Sequence, residues 1–414
     1  MLARKTIIAL IIGATNVTTA CSDQTTAPRP TASRDEHGGQ TGWELDVPPS
    51  SVEWQARARS LVAANNMSPL AAARVYAALS VAQYQAVIGI HSPDGGAEQW
   101  APSGTDGGAA GGRSMMEGHR GAVAGASAQV LKFFFAAATA SLEQEVQRQG
   151  EVLSPSGTVH PAFTRGLAVG RAAGNQLVDR AMNDRFTTPW TGTVPTGPGK
   201  WVANGTPAGA TFGGVTPYFL TSGSQFRPAP PPAFGSPAFQ IDLTEIRTLA
   251  DNRTPAQSSS ALAWDFPTGT FTPIGYWNQL ATQYAIAHQL DEPAATRTFA
   301  LTNAAMMDAL IGCWEAKYYY WMLRPSQADP LITRTFGLPN HPSYPSGHSC
   351  ASAAAAGVLA SLFPDKKAEL AGMVSDAGLS RMYAGIHYRF DITAGRDLGD
   401  AVARWVLARA GVPD

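Results

Sequence analysis

Alanine-rich segments with helical spacing run through most of this 414-residue chain and limit what it can fold into. The run from Ala71 to Ala82 is one example, and such composition favours packed helices. No segment shows the strict alternation of apolar and polar residues that predicts a half-buried strand. The sequence therefore predicts an all-α protein, built as one helical bundle or as two packed bundles.

Two long segments rich in glycine and proline interrupt the helical pattern, Ser92–Gly112 and Thr187–Pro237. A loop as long as the second one, inside a compact domain, usually covers a site or contributes to it, with simple surface wrapping as the alternative. The predicted helical segments are Val52–Asn65, Ser68–Ile90, Met115–Gln149, Pro161–Asn183, Gly275–Leu290, Ala294–Leu323, Gly347–Leu362, Lys366–Ala377 and Thr393–Ala410.

The start of the chain has the features of an export signal. Arg4 and Lys5 precede an apolar run from Thr6 to Ala14, which is too short to span a bilayer. Small residues then lead to Cys21, the place where bacterial lipoproteins carry their lipid, although Thr18 stands where leucine is usual. Ordinary signal cleavage with an incidental cysteine is the alternative.

These features divide the chain into a signal peptide (1–21), a disordered linker (22–44) and a folded domain (45–414). We expect an exported bacterial protein, periplasmic or at the cell surface, that meets a membrane only through a lipid anchor. The net charge of −1 gives no indication of a nucleic-acid partner. Within the domain, Cys313 and Cys350 form a disulfide or remain as two buried thiols.

Three segments of the last third carry chemistry, and the first contains Lys317 and Arg324. Seven residues is close to two helical turns, so both cations are predicted to project from one face of the same helix. Pro325 must then end that helix. A solvated face is the ordinary interpretation of such a pair, but the residues between them are mostly aromatic and apolar, which does not suit an exposed face.

The second segment, Pro345-Ser346-Gly347-His348, opens an alanine-rich helix. Helix N-termini present unpaired N–H groups and a favourable dipole to anions. Ser346 adds a hydroxyl and His348 adds a titratable group. A capping serine beside a structural histidine is the alternative.

The third segment contains Ser380-Arg381, Gly385, His387 and Asp391. His387 and Asp391 are four residues apart, so they meet on one face if the segment is helical. A carboxylate in that position fixes the tautomer of the imidazole and raises the basicity of its other nitrogen, as a metal-ligating or nucleophilic histidine requires. The alternative is a surface His–Asp pair beside an ordinary arginine.

Together these segments read K-x6-RP, PSGH and SR-x3-G-x-H-x3-D, which resembles the signature shared by vanadium-dependent haloperoxidases and PAP2-type acid phosphatases. The resemblance implies the all-α fold of those proteins around an oxyanion site. It implies that His387 ligates vanadate, or attacks phosphate, and that His348 is the acid–base group. The remaining contacts to the oxyanion would come from Lys317, Arg324, Arg381, Ser346 and Gly347.

Further similarities favour the haloperoxidases within this group. The segment from Gly385 to Asp391 resembles their version of the third motif. His341 stands where algal-type bromoperoxidases have histidine, and the resemblance implies that it tunes vanadate or the halide site. Asp265 resembles the haloperoxidase aspartate that pairs with the acid–base histidine.

The function expected from this resemblance is a vanadium-dependent haloperoxidase. It would use hydrogen peroxide to oxidise halide, bromide or iodide above all, to hypohalous acid, which halogenates a small organic acceptor. Phosphate would compete with vanadate for the same site. The alternatives are an acid phosphatase that hydrolyses phosphate esters through a phosphohistidine, and an inactive oxyanion-binding lipoprotein. The sequence does not indicate an oligomeric state.

Overall fold

The structure, a computed structural model, describes residues 48–90, 109–153 and 157–412. The expected signal peptide, Cys21 and the linker lie outside these residues, as does most of the predicted loop Ser92–Gly112. Within the described ranges the chain is helical and contains no strand, although one isolated β-bridge joins Lys200 to Met322. The prediction of an all-α fold is therefore confirmed. No helix in these ranges is long and apolar enough to cross a bilayer.

The α-helices are, in chain order, α1 Ser50–Ala64, α2 Pro69–Gly89, α3 Ala109–Phe134, α4 Thr139–Glu151, α5 Pro161–Asn183, α6 Pro237–Asp251, α7 Pro255–Ala263, α8 Thr272–Ala287, α9 Glu292–Tyr320, α10 Pro325–Ala328, α11 Gly347–Leu362, α12 Lys367–Tyr383 and α13 Arg389–Arg409. Several begin with proline directly after a capping side chain. Ser68 caps α2, Ser236 caps α6 and Thr254 caps α7, and each accepts a hydrogen bond from a first-turn N–H.

The stretch Met115–Gln149 is two helices, so its prediction as one continuous segment is wrong. Helix α3 ends at Phe134, and Phe135 leaves the helical conformation with φ −134° and buries its ring in the core. A short 3-10 turn leads into α4, which folds back on α3, where Lys132 forms a 2.5 Å ion pair with Glu143. Burial of one aromatic ring thus overrides a continuous local helical pattern.

Two further helices lie in a part of the chain where the periodicity indicated none. Helices α6 and α7 begin at Ser-Pro and Thr-Pro pairs, which are ordinary helix starts. Helix α3 begins at Ala109, so the end of the predicted loop at Gly112 is also helical.

The second predicted loop wraps the C-terminal half of α9 and contains only one short 3-10 turn, Phe212–Gly214. The buried carboxylate of Asp308 on α9 accepts hydrogen bonds from three successive backbone N–H groups of this loop, those of Tyr218, Phe219 and Leu220. A buried carboxylate satisfied in this way anchors the loop to the helix. The loop therefore supports the helix that carries Lys317.

Helices α3 and α5 approach each other through glycine. A Cβ atom on Gly121 would lie 2.0 Å from the carbonyl oxygen of Phe163, and one on Gly170 would lie 2.0 Å from that of Ala122. Real Cβ atoms do not approach an oxygen so closely, so no larger residue fits unless the helices separate.

We predict that Gly170→Ala lowers the free energy of unfolding by about 1–3 kcal/mol, because the methyl group forces α5 away from α3. Gly372→Ala is the matched control, since Gly372 is an exposed residue of α12 with no atom within 4 Å of the position that a Cβ would take. There the change should be neutral or stabilising by about 0.5–1 kcal/mol. Urea unfolding of both variants measures the difference, and equal stabilities would contradict the glycine contact.

Candidate active site

Helix α9 ends between the two cations of the first motif. Lys317 lies in its last turn, fully buried, whereas Trp321 adopts a left-handed conformation with φ 57°. The N–H of Trp201 donates to the carbonyl of Trp321 at 2.8 Å, which ties this turn to the long loop. Arg324 has extended φ and ψ angles, as expected for a residue before proline. The prediction that Lys317 and Arg324 share one helix face is therefore wrong, although both side chains reach the same site.

The ammonium group of Lys317 is saturated with main-chain acceptors. Its Nζ donates to the carbonyl oxygens of Pro342 (2.9 Å), Ser343 (2.8 Å) and Pro345 (2.5 Å). These are all the hydrogen bonds that an ammonium can donate. Burial lowers the pKa of Lys317 to about 8. In this structure Lys317 organises the segment that precedes α11 and adds positive charge to the site.

Arg324 links the first motif to the third. Its Nη1 donates to the carbonyl of Ile386 at 2.9 Å and to Nε2 of His387 at 3.1 Å. Its Nη2 lies 3.1 Å from Nδ1 of His341, and its Nε donates to the carbonyl of the same residue. The guanidinium is fully buried, and burial lowers its pKa to about 10.

His387 lies just before α13, and Asp391 lies in the first turn of that helix. Nδ1 of His387 is 2.7 Å from Oδ2 of Asp391, so the predicted contact is present. The carboxylate accepts the Nδ1 proton and Arg324 donates to Nε2, so this arrangement assigns the lone pair to Nε2. Burial first, and then the charges of Arg324 and Lys317, hold the pKa of His387 well below its usual range. The ring is therefore neutral and presents one nitrogen as a ligand or nucleophile.

Asp391 joins the second motif to the third. Its Oδ2 also accepts from the hydroxyl of Ser343 at 2.5 Å and from the N–H of Tyr388 at 3.1 Å. Its backbone carbonyl accepts from the N–H of Ser346 at 2.9 Å. Burial raises the pKa of Asp391 to about 6, against the lowering effect of the Ser343 hydrogen bond.

The second motif places the N-terminus of α11 at the site. Ser346 is the buried N-cap and accepts a hydrogen bond from the N–H of Ser349. Gly347 and His348 are half-buried. A Cβ atom on Gly347 would lie 3.0 Å from the ring of Trp314, so glycine is what allows this close approach. The site therefore has a buried cationic floor and a more accessible rim.

His348 pairs with a main-chain atom. Its Nε2 lies 2.8 Å from the carbonyl oxygen of Trp264, so Nε2–H donates and the neutral ring keeps its lone pair on Nδ1. Burial and the nearby Arg381 lower the pKa of His348 to about 3. Asp265, the partner implied by the resemblance, instead lies 3.9 Å from Nη1 of Arg381. The expected Asp265–His348 pair is not formed here, because the carbonyl of the preceding residue takes that position.

Arg381 is the third buried cation of the site. Its Nε donates to the hydroxyl of Ser380 at 2.9 Å and its Nη2 donates to the carbonyl of Ala261 at 2.5 Å. Burial lowers its pKa to about 10, which leaves the guanidinium charged at neutral pH. The half-buried Asp265 is the carboxylate closest to balancing this charge.

Four contributors to the site were absent from the residues selected by sequence. Ser343 and Trp314 lie beside selected residues, and a short polar or aromatic side chain next to a motif was the available signal. Trp264 and Ala261 act through their carbonyl oxygens, which every residue carries, so no side-chain signal existed for them.

The two cysteines of the domain are free thiols. Both are fully buried, and the Sγ of Cys313 donates to the carbonyl of Pro345 at 3.6 Å. Of the two possibilities left open by the sequence, the structure therefore has the two buried thiols. Cys313 lies one helical turn before Lys317, and Cys350 lies one turn after Ser346.

This arrangement suits a tetrahedral oxyanion. Lys317, Arg324 and Arg381 are buried together, with Asp391 as the only fully buried carboxylate bonded to the motif residues in the described part of the chain. Buried positive charge in such excess is costly unless an anion balances it. A neutral imidazole nitrogen and a helix N-terminus face the same region, and both favour an anion.

We predict that Asp391→Asn weakens the binding of orthovanadate by about tenfold to hundredfold, because the imidazole of His387 loses the charge that orients it and raises its basicity. Asp397→Asn is the matched control, since Asp397 is an exposed carboxylate on the same helix. Isothermal titration calorimetry at neutral pH measures both affinities. Wild-type affinity in a folded Asp391→Asn variant would contradict this role.

The chain resembles known proteins at two levels. A family model described as the PAP2 superfamily matches residues 297–411, which contain all three motifs. Non-specific acid phosphatases from Salmonella typhi and Salmonella typhimurium are 29% and 28% identical to it over 188 residues. Each of these alignments covers 42% of this chain and 70% of the relative.

Solved structures share the fold over a larger part of the chain. The crystal structure of the first bacterial vanadium-dependent iodoperoxidase superposes with a TM-score of 0.71 at 22% identity, over 88% of this chain and 97% of that one. The holo-type bacterial vanadium-dependent chloroperoxidase superposes with a TM-score of 0.64 at 15% identity, over 88% and 98%. Residues 297–411 therefore match the PAP2 superfamily, and the chain has the helical fold seen in the bacterial vanadium haloperoxidases.

Proposed function

We propose that this protein is a vanadium-dependent haloperoxidase that uses hydrogen peroxide to oxidise bromide or iodide to hypohalous acid. The observation that carries the proposal is the neutral His387, whose Nδ1 is held by Asp391 and whose Nε2 faces a buried cluster of cations. The extent of the structural similarity favours a peroxidase over a phosphatase. The structural superposition on the iodoperoxidase covers 88% of the chain, and the sequence alignment with the phosphatases covers 42% of it.

The residues present fit vanadate. His387 Nε2 would be its protein ligand, and Arg324, Arg381 and the N-terminus of α11 at Ser346 would offset its charge. When bound, vanadate supplies Lewis-acid activation of hydrogen peroxide. For ligation, the Nη1 of Arg324 must leave the His387 nitrogen and turn to the anion, because both compete for one lone pair.

His348 is the proposed acid–base group. Its Nε2–H is held by the carbonyl of Trp264, which leaves Nδ1 as the atom that accepts a proton from peroxide. The ring is half-buried beside Gly347, at the accessible rim of the site. An anion in the site would raise the pKa of His348, since it counteracts the charge of Arg381 that helps to lower it. The group is thus prepared to take up a proton once the anion is bound.

Lys317 and Asp265 have supporting roles in this proposal. Lys317 donates to three carbonyl oxygens and so keeps the segment before α11 in place. Its ammonium group also adds a positive charge to the site. Asp265 lies 3.9 Å from Arg381 and moderates its charge. His341, between Arg324 and the ring of Trp314, is placed to affect the halide or the anion at the rim.

An acid phosphatase is the second candidate, favoured by the similarity to the Salmonella enzymes. The same residues would then act differently: Nε2 of His387 attacks phosphorus, His348 protonates the leaving oxygen, and water hydrolyses the phosphohistidine. A site whose residues would hold vanadate would also suit the transition state of this reaction. An oxyanion-binding protein without turnover is the third candidate.

We predict vanadate-dependent halogenation in a paired assay of the purified full-length protein. One arm contains hydrogen peroxide, bromide or iodide and a halogenation dye, and the other contains a chromogenic phosphate ester. Halogenation should appear only with orthovanadate. Phosphate release that orthovanadate inhibits would instead identify a phosphatase, and no activity in either arm would favour the binding protein.

The histidines separate the roles within that assay. His387→Ala should abolish activity and vanadate binding, because the ligand is lost. His348→Ala should retain vanadate binding and lose about 10²–10⁴-fold in rate, the usual contribution of a general acid–base group. His288→Ala is the control, since His288 pairs with Asp365 away from the motif residues. Full activity in His387→Ala would overturn the assignment.

We also predict that the affinity for sulfate, whose charge is constant from pH 6 to 10, falls as the pH rises through about 8. The affinity falls because burial lowers the pKa of Lys317 to about 8, so the site loses a positive charge as the pH rises above that value. Between pH 7 and 9 we expect a loss of several-fold to about tenfold. In Lys317→Met the affinity should be lower and independent of pH in this range. A flat wild-type profile would contradict the lowered pKa.

A further inference from the structure

A second cavity, with a volume of about 560 Å³, lies beside the end of α9. Trp314, Glu315, Tyr318 and Tyr319 line it, and their spacing places them together on a face of α9 that excludes Lys317. The loop residues Arg185 and Thr211 lie among those that complete the wall.

Trp314 is shared between this cavity and the oxyanion site. Besides lining the cavity, its ring carbons lie 3.0 and 3.1 Å from the position of a Cβ atom on Gly347. The centroid of its ring is 5.0 Å from that of His341. A molecule in the cavity that touches Trp314 is therefore separated from the half-buried rim of the oxyanion site by one indole side chain.

The aromatic walls are held in fixed positions. The hydroxyl of Tyr318 and the Nε1–H of Trp314 both donate to the carbonyl oxygen of Ala208, at 2.6 and 3.3 Å. Arg227 stacks over the ring of Tyr319, with its guanidinium carbon 3.7 Å from the ring centroid. Rigid aromatic walls of this kind suit a flat aromatic ligand.

Arg185 contributes a cation in a strained conformation. Its φ of 70° is in the left-handed region, which favours glycine. Both neighbours are anchored: Asp184 forms a 2.6 Å ion pair with Arg74, and the ring of Phe186 packs under the same guanidinium. Non-glycine residues kept in this region are often functional. Arg185 keeps this conformation and is one of the residues that line the cavity.

The charge of Arg185 is available to a ligand. No carboxylate of the described residues pairs with it, whereas Glu315, the carboxylate of the cavity wall, is bound by both Nε and Nη2 of Arg227. An accessible guanidinium next to aromatic walls matches an aromatic molecule that carries a carboxylate.

We propose that this cavity binds an aromatic carboxylate, such as a phenol that bears a carboxyl group, and that this molecule is the organic acceptor for halogenation. The acceptor role rests on the haloperoxidase function proposed above. Hypohalous acid, HOX, transfers its halogen to a ring carbon: the C–X bond forms, the X–O bond breaks, and the ring proton leaves with the hydroxide as water. The oxidising halogen is thus captured beside the site that releases it.

The test measures binding to the full-length protein by isothermal titration calorimetry, without vanadate or peroxide. The ligands are 4-hydroxybenzoate and its neutral analogue 4-hydroxybenzamide. We expect the wild type to bind the carboxylate about tenfold or more tightly than the amide. Arg185→Gln should remove this preference, and the exposed Arg404→Gln on α13 should keep it. Equal binding of both ligands to the wild type, or a preference that survives Arg185→Gln, would overturn the proposal.

A second variant separates loss of the ligand contact from loss of the fold. Arg185→Gly relieves the left-handed strain, so it should be at least as stable as the wild type in thermal unfolding while it loses the preference for the carboxylate. Retained preference in this stable variant would also overturn the proposal.

Kinetics separate this proposal from the haloperoxidase function. Arg185→Gln should raise KM for halogenation of 4-hydroxybenzoate and leave the halogenation of a neutral dye unchanged. An active haloperoxidase whose KM is unaffected would overturn the acceptor site while the function stands. Binding that depends on Arg185 in a protein without halogenation activity would support the ligand class and overturn the acceptor role.

Discussion

The buried ammonium group of Lys317 is the constraint on which the site depends. A lysine placed away from water at the end of α9 must satisfy its donors internally, and it does so with three carbonyl oxygens of residues 342–345. These three hydrogen bonds hold the segment before α11 in position, and that segment leads directly to Ser346 and His348. The same burial places the positive charge of Lys317 near that of Arg324. One side chain therefore affects both the position of this segment and the charge of the site.

Asp391 has the complementary role. It accepts the proton of His387 Nδ1 and the hydroxyl of Ser343, and its backbone carbonyl binds the N–H of Ser346, so one residue joins the second and third motifs. Arg324 joins the first motif to the third through His387. The three segments thus form one hydrogen-bonded unit with an excess of positive charge. An excess of this kind suits an oxyanion and is common to both chemistries proposed for the site.

The part of the chain before residue 297 gives the site its surroundings. The loop 187–236 is tied to α9 through Asp308, and it forms a cavity with the aromatic end of that helix. Trp314 contributes to the cavity and to the rim of the oxyanion site. The site built from the three motifs thereby lies next to a surface that a loop supplies, and loops of this kind commonly determine which ligand a site accepts.

The amino-acid sequence by itself determined the helical class, about half of the helix starts, the three motifs that the structure brings together and the contact between His387 and Asp391. These features depend on local periodicity, capping pairs and short spacings. Only the tertiary structure decided that α3 stops before Phe135, that α9 ends before Arg324 and that Cys313 and Cys350 stay as thiols. It also decided that His348 pairs with the carbonyl of Trp264 while Asp265 lies near Arg381. The physical reason is that these outcomes depend on burial and on main-chain acceptors supplied by distant segments. Every residue has a backbone carbonyl, so the residue type does not reveal which carbonyl oxygen will accept a hydrogen bond.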